Sequence, residues 1–191
     1  MNLRQLPVLP TIIVVAAAAI MVALGIWQLG RAEEKGALIA HYEAVSAEAG
    51  RVDWPMNDEE AAERLYRFAF VDCAQVLSRR TAAATSSEGV KGLAQIATCR
   101  LANGREADIA LGFTKEPVEG GWQGGEIQGI IAPGPRLVAM PPAAGLEPLA
   151  APDPRDLPNN HLAYAGQWFF FALTALVIYA LAIRKRIRQK A

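Results

Sequence analysis

The sequence predicts a membrane protein of the α+β class: two transmembrane helices flanking a small, mostly antiparallel β domain in the periplasm. Three observations carry this reading. The 24 residues from Pro7 to Gly30 contain no charge, nor do the 22 from Leu162 to Ile183; about 20 apolar residues suffice to cross a bilayer. Between them, apolar residues recur with the period of strands, punctuated by Gly, Pro and Asn-Gly turn signals. Charge is also segregated. Residues 31–161 hold all 19 acidic and 13 of the 19 basic residues, a net of −6, while the tail carries Arg184, Lys185, Arg186, Arg188 and Lys190.

Basic residues beside a span stay on the cytoplasmic side. The tail is therefore expected in the cytoplasm, the second span returns the N-terminus to the same side, and the central domain faces the opposite compartment. The expected division is a cytoplasmic N-terminus (1–6), a first span (7–30), a periplasmic domain (31–161) with a Pro-rich connector (140–158), a second span (162–183) and a basic cytoplasmic tail (184–191). Arg4 precedes the first span as in a signal peptide, but the apolar stretch is longer than a signal core. No small-x-small cleavage site follows it. It reads as an uncleaved anchor in a bacterial inner membrane.

In chain order, the good helix formers of RAEEKGALIAHYEAVSAEA continue the first span as helix. GRVDWPM begins as a turn, and Asn57 caps a short helix over DEEAAERLY. In YRFAFVDCAQVLSRRTAA the alternation breaks near Phe70, predicting a bulge or two strands. GLAQIATCRLANGREADIALGF predicts a hairpin with Asn103-Gly104 as a two-residue turn. GGWQGGEIQGIIAPGPRLV predicts a further strand ended by Gly-Pro, and the segment from Met140 to Asn160, with six prolines, an irregular connector. Cys73 and Cys99 fall in strand-like segments; they are either a disulfide, favoured in an oxidising compartment, or two buried small apolar residues.

Neither a P-loop, a G-x-S-x-G elbow, an HExxH helix nor zinc-type Cys/His spacing occurs, so the sequence points to no enzyme. An acidic central domain without a basic patch gives no reason to expect nucleic acid. Two constellations remain, one beside each span. In LGIWQLGRAEEK, helical spacing sets Leu24, Gln28, Arg31 and Lys35 on one face, with Trp27 at the apolar end. Such a basic face meets anionic groups, of which lipid phosphates are the commonest. In PNNHLAYAGQWFFFA, Pro158 starts the helix, Asn159 or Asn160 is placed to cap it, and His161, Tyr164 and Trp168 share a face. A helix N-terminus disfavours an imidazolium and biases His161 towards the neutral, metal-ligating form. From the residues alone, an interfacial His-Tyr-Trp belt is the commoner reading and a ligand site the sharper one.

These two motifs together resemble the Surfeit-locus (Surf-one type) cytochrome c oxidase assembly factor family, whose members have two spans flanking a soluble domain. GEIQGII is similar to that family's glycine-rich strand, and IALGFTKEP to its apolar strand before RGW-x-P. Leu111 stands where the family usually has arginine, Phe113 where it has tryptophan, and Cys73 where glycine is common. The resemblance implies a role in maturing an aa3-type haem-copper oxidase, with haem a as transient cofactor and oxidase subunit I and haem a synthase as partners, within membrane lipid. It makes His161 the ligand of the haem iron. Tyr164 and Trp168 would flank the ring and Arg31 or Lys35 would meet the propionates, with Gln28 and Trp27 as further cofactor-binding residues on the first helix. Alternatives are a scaffold that binds only protein, or an unrelated two-span periplasmic ligand-binding anchor.

Overall fold

The computed structural model describes residues 7–117 and 121–190; the expected N-terminus (1–6) and the final residue of the tail lie outside them. The chain forms two compact units. A helical unit extends to Leu38 and resumes at Pro158, and Ile39–Leu157 forms a β unit.

The helical unit is built from α1 (Val8–Ala47) as far as Leu38 and from α3 (His161–Lys190); the end of α1 and a short α2 (Asp58–Glu63) belong to the β unit. Pro10 sits in the first turn of α1, where its missing N–H breaks no helical bond. Pro158 precedes α3, and basic residues fill that helix's last turns, where they complement its dipole. Only 11% of the most apolar window of the first helix and 6% of the second is buried. A core helix of a soluble protein would be covered, whereas here Ile12, Ile13, Phe170 and Leu173 stand exposed. Both helices are long and apolar enough to cross a membrane.

Their contact follows a seam spaced alternately three and four residues. On α1 the less exposed positions include Thr11, Val14, Ala18, Met21, Gly25, Gln28, Ala32 and Lys35, flanked by Ala17, Leu24 and Arg31; on α3 they include His161, Ala165, Trp168, Ala172, Ala175 and Tyr179. Such spacing keeps one stripe facing a neighbour, and Ala or Gly within it admits close backbone approach. The helices run antiparallel: Thr11 bonds the Tyr179 hydroxyl at one end, and a Cβ on Gly25 would lie 2.5 Å from the Phe169 ring further along.

The β unit holds β1 (Arg51–Asp53), β2 (Phe68–Thr85), β3 (Lys91–Leu101), β4 (Glu106–Thr114), β5 (Gly125–Ala132) and β6 (Arg136–Ala139). Neighbour order is β1-β2-β3-β4-β6-β5, and β2 also pairs with β5, so the last five strands close into a barrel. The expected antiparallel pairing holds except at two places: β4 and β6 run parallel, as do β1 and β2. The sheet is therefore mixed. Its connectivity is that of an OB-fold barrel, a scaffold that by itself assigns no function.

Five local features differ from the sequence reading. The stretch expected as a turn, at Arg51–Asp53, is a strand, because it finds an edge of β2 to pair with. Asn57 caps α2 as expected, its Oδ1 accepting from the Glu60 N–H at 2.8 Å, but the helix stops at Glu63. Tyr66 has a φ of +65, which no helix accommodates. At the β3–β4 turn only Gly104 has positive φ (+81), and the Leu101 N–H reaches the Arg105 carbonyl; the turn is one residue longer than a two-residue loop. The strand expected to end at Gly-Pro turns on Gly134 and returns as β6. The break expected near Phe70 is not there, since β2 alternates cleanly over Phe68–Cys73; register shifts fall further along, at Cys73/Gln75 and Val76/Ser78, within one continuous strand.

Ala69, Val71, Ile109, Leu111, Ile131 and Leu137 lead the barrel interior. Ala94, Ile96, Ala110, Ala132 and Val138 form a second apolar layer on the outer face, packed by Leu149 of the connector. Strands covered on both faces lose clean alternation, which is why the pattern was irregular in sequence. The connector from Met140 onward is irregular but not free. Phe113 and Glu147 exchange backbone bonds, and a 3₁₀ turn at Pro154–Asp156 follows, where hydrogen bonds from Arg155 hold the Asp153 carboxyl down at about 2. Cys73 and Cys99 are joined by a disulfide within the interior. The positions that depart from the resembled family, Leu111, Phe113 and Cys73, are all buried, so the departures exchange core side chains.

Tyr66 packs on the Tyr42 ring at 5.2 Å, and its phenol is raised, first by burial and then by the charges of Tyr42, Asp156 and Asp153. Below pH 10 neither state ionises and its contribution is intact. Above that value the unfolded chain ionises first, so stability falls as pH climbs towards the folded value. Alkaline titration followed by circular dichroism is expected to unfold the domain at a higher pH in Tyr66→Phe than in wild type; coincident curves would exclude this group.

Candidate functional site

The seam between α1 and α3 is apolar for most of its length and turns polar at the end where α1 carries Gln28 and α3 begins. A helix pair whose spans are antiparallel necessarily brings the end of the first hydrophobic stretch to the start of the second. That is where His161 and Gln28 meet, with His161 Nδ1 2.7 Å from Gln28 Oε1. An amide oxygen can only accept, so Nδ1 carries the proton and donates it. The bond fixes the ring's orientation, with Nε2 the ring nitrogen that Gln28 does not engage.

Asn159 completes the cluster. It was one of two residues expected to cap α3; Asn160 takes that position, while the Asn159 Nδ2 donates to the Ala32 carbonyl on α1 at 3.2 Å. Its Oδ1 is buried with no protein partner. The first bond of α3 is accepted instead by the main-chain carbonyl of Asn160, from the Tyr164 N–H. Tertiary contact has won over local capping: a side chain offered an unused carbonyl on the opposite helix crosses to it.

The other predicted residues divide. Trp168 lies on the seam two turns beyond His161, half-buried, its ring edge-on to Phe171 at 6.3 Å. Tyr164, expected on the same face, is 50% exposed and lies off the seam. Trp27 is 57% exposed and also faces outward, as interfacial aromatics do. Arg31 is ion-paired with Glu34 one turn along its own helix. Lys35 continues the seam one heptad beyond Gln28 and is half-buried. The structure thus gathers His161, Gln28 and Asn159, aligns Trp168 and Lys35 on the same stripe, and leaves Tyr164 and Trp27 outside it. Asn159's crossing bond had no signal in the sequence, where capping by Asn159 or Asn160 was the only role given to either residue. Among the described residues, no group of three or more His, Cys, Asp or Glu side chains is arranged to hold a metal.

A family model described as the SURF1 family matches residues 15–173, from within the first span to within the second. The chain belongs to the SURF1 family. That family is linked to cytochrome c oxidase assembly. The match includes both span ends, and with them the Gln28–His161 pair of this SURF1 member. No curated protein matches the chain.

Proposed function

We propose that this SURF1 family member is an assembly factor of a bacterial inner membrane, holding haem a on His161 while subunit I of an aa3-type oxidase matures. The observation that carries the reading is the His161 Nδ1–Gln28 Oε1 bond, which orients the ring and leaves Nε2 unengaged by Gln28 at the mouth of an apolar seam. Haem a is the cargo, an apolar macrocycle with iron at its centre and propionates on one edge. His161 would bind the iron through Nε2, Gln28 would orient the ring, and Trp168 would offer an apolar flank. Lys35 suits a propionate better than Arg31, whose charge is already met by Glu34. One histidine with a neutral hydrogen-bond partner makes a weaker site than two axial ligands, as a carrier that must release requires. The barrel domain lies in the periplasm in this account, where a disulfide such as Cys73–Cys99 persists. Both termini lie in the cytoplasm, haem a synthase supplies the cargo, and the factor itself makes and breaks no covalent bond.

Deleting the gene and quantifying metal centres in the residual oxidase tests the role. The expected outcome is subunit I depleted of haem a. Oxidase with full haem a content and activity would contradict it.

A further inference from the structure

The last apolar residues of α3 give way at once to charge. Arg184, Lys185, Arg186, Arg188 and Lys190 fall within seven residues, and no acidic residue follows Asp156. The helix does not stop where the charge begins. It runs unbroken to Lys190, so helical geometry sorts these cations onto faces. Leu181, Arg184, Lys185 and Arg188 follow i, i+3, i+4, i+7 spacing and share an arc of about 100°. Arg186 lies about 150° from the centre of that arc. Leu181, Arg184, Lys185, Arg188 and Gln189 line one shallow hollow of about 380 Å³, and Arg186 is not among them.

This face is left short of negative charge. Arg184 and Arg188 are i,i+4 neighbours, and like charges at that spacing destabilise a helix. The negative end of the helix dipole offsets part of the repulsion. Among the described residues no carboxylate pairs with Arg184, Lys185 or Arg188. The hollow therefore suits an anion, and guanidinium groups grip phosphate oxygens two at a time. Its apolar end narrows the choice. Leu181 is 60% exposed and closes the hollow on the side of the span. At the rise of a helix the three cations lie about 5–10 Å beyond it, comparable to the thickness of a headgroup layer. A soluble anion would leave Leu181 unused, whereas a phospholipid covers it with acyl chain. A zwitterionic headgroup also brings an ammonium, which meets three cations here and no carboxylate.

We propose that this face of α3 binds one phospholipid of net negative charge, its phosphate held by Arg184, Lys185 and Arg188 and its acyl chains laid against Leu181. The inference rests on α3 crossing the membrane. It is separate from the histidine site and stands whether or not His161 carries haem. A diffuse basic tail attracts an anionic surface through all its cations alike; a site on one face makes Arg186 dispensable.

Native mass spectrometry of the full chain in detergent micelles tests this, with dioleoyl phosphatidylglycerol, dioleoyl phosphatidylcholine and glycerol 3-phosphate as probes. One phosphatidylglycerol is expected to bind at least about tenfold more tightly than phosphatidylcholine. Glycerol 3-phosphate, a phosphate without acyl chains, is expected to bind at least about tenfold more weakly than the intact anionic lipid. Arg184→Gln and Arg188→Gln are each expected to weaken phosphatidylglycerol binding about fivefold, the contribution of one cation beside an anionic headgroup. Arg186→Gln removes the same charge from the same helix end and is expected to leave binding unchanged. Glutamine forms helix about as well as arginine, so all three variants keep α3. The proposal is overturned if the two lipids bind alike or if glycerol 3-phosphate binds as tightly as phosphatidylglycerol. It is equally overturned if Arg186→Gln weakens binding as much as Arg184→Gln or Arg188→Gln, which would leave only diffuse attraction by the tail.

Discussion

Gly129→Val is expected to keep the barrel from closing. Gly129 lies on β5 opposite Ala139 of β6 and faces inward, where a Cβ would overlap the Val138 carbonyl oxygen. The obstacle is backbone, not the movable tip of a side chain, so the strands themselves must part. They are the strands that join β2 to β4 through β5 and β6 and complete the ring. Overpacking a core usually costs about 1–3 kcal/mol; displacing paired backbone places this substitution in the exceptional range above about 4 kcal/mol. Limited proteolysis and thermal unfolding of the full chain check this. The neighbour Gln128→Ala, on the outer side of the same strand, is expected to leave both unchanged. A Gly129→Val protein with the wild-type midpoint would show that β6 does not approach as described.

The second large effect concerns Cys73–Cys99. The bond spans 26 residues of sequence, and in the chain-entropy model a loop of that size contributes about 3 kcal/mol. Both sulfurs lie in the barrel interior beside Leu101 and Ile127, so the native fold shields them from reductant. Cys73→Ala/Cys99→Ala is expected to lower Tm by roughly 10 °C. Reductant is expected to lower the midpoint of the wild type and not of the double variant. Equal midpoints with and without reductant in the wild type would contradict a stabilising role.

Much of the architecture was legible because long-range order in this chain follows from strong local signals. Two uncharged stretches of span length, the Asn57 cap and the strand runs about Asn103-Gly104 each declare an element through its own residues. What stayed hidden depends on partners remote in sequence. Arg51–Asp53 is a strand only because β2 offers an edge there, and the β4–β6 parallel pair joins segments no turn connects. At the candidate site, spacing grouped His161 with Tyr164 and Trp168, but only the opposite helix decides which side of that arc is inside. The facing residues Gln28 and Ala32 draw in His161 and Asn159 and leave Tyr164 out.

The central claim is that the imidazole of His161, oriented by Gln28, binds haem iron through Nε2. Its most direct measurement is the absorption spectrum of the full chain purified in nanodiscs from a host that makes haem a. Wild type is expected to carry haem with a Soret band, and His161→Ala to lose the haem or shift the band. Gln28→Leu is expected to bind about 10- to 100-fold more weakly, as loss of an outer-shell partner does. A His161→Ala protein that retains haem with an unchanged Soret spectrum would contradict the account.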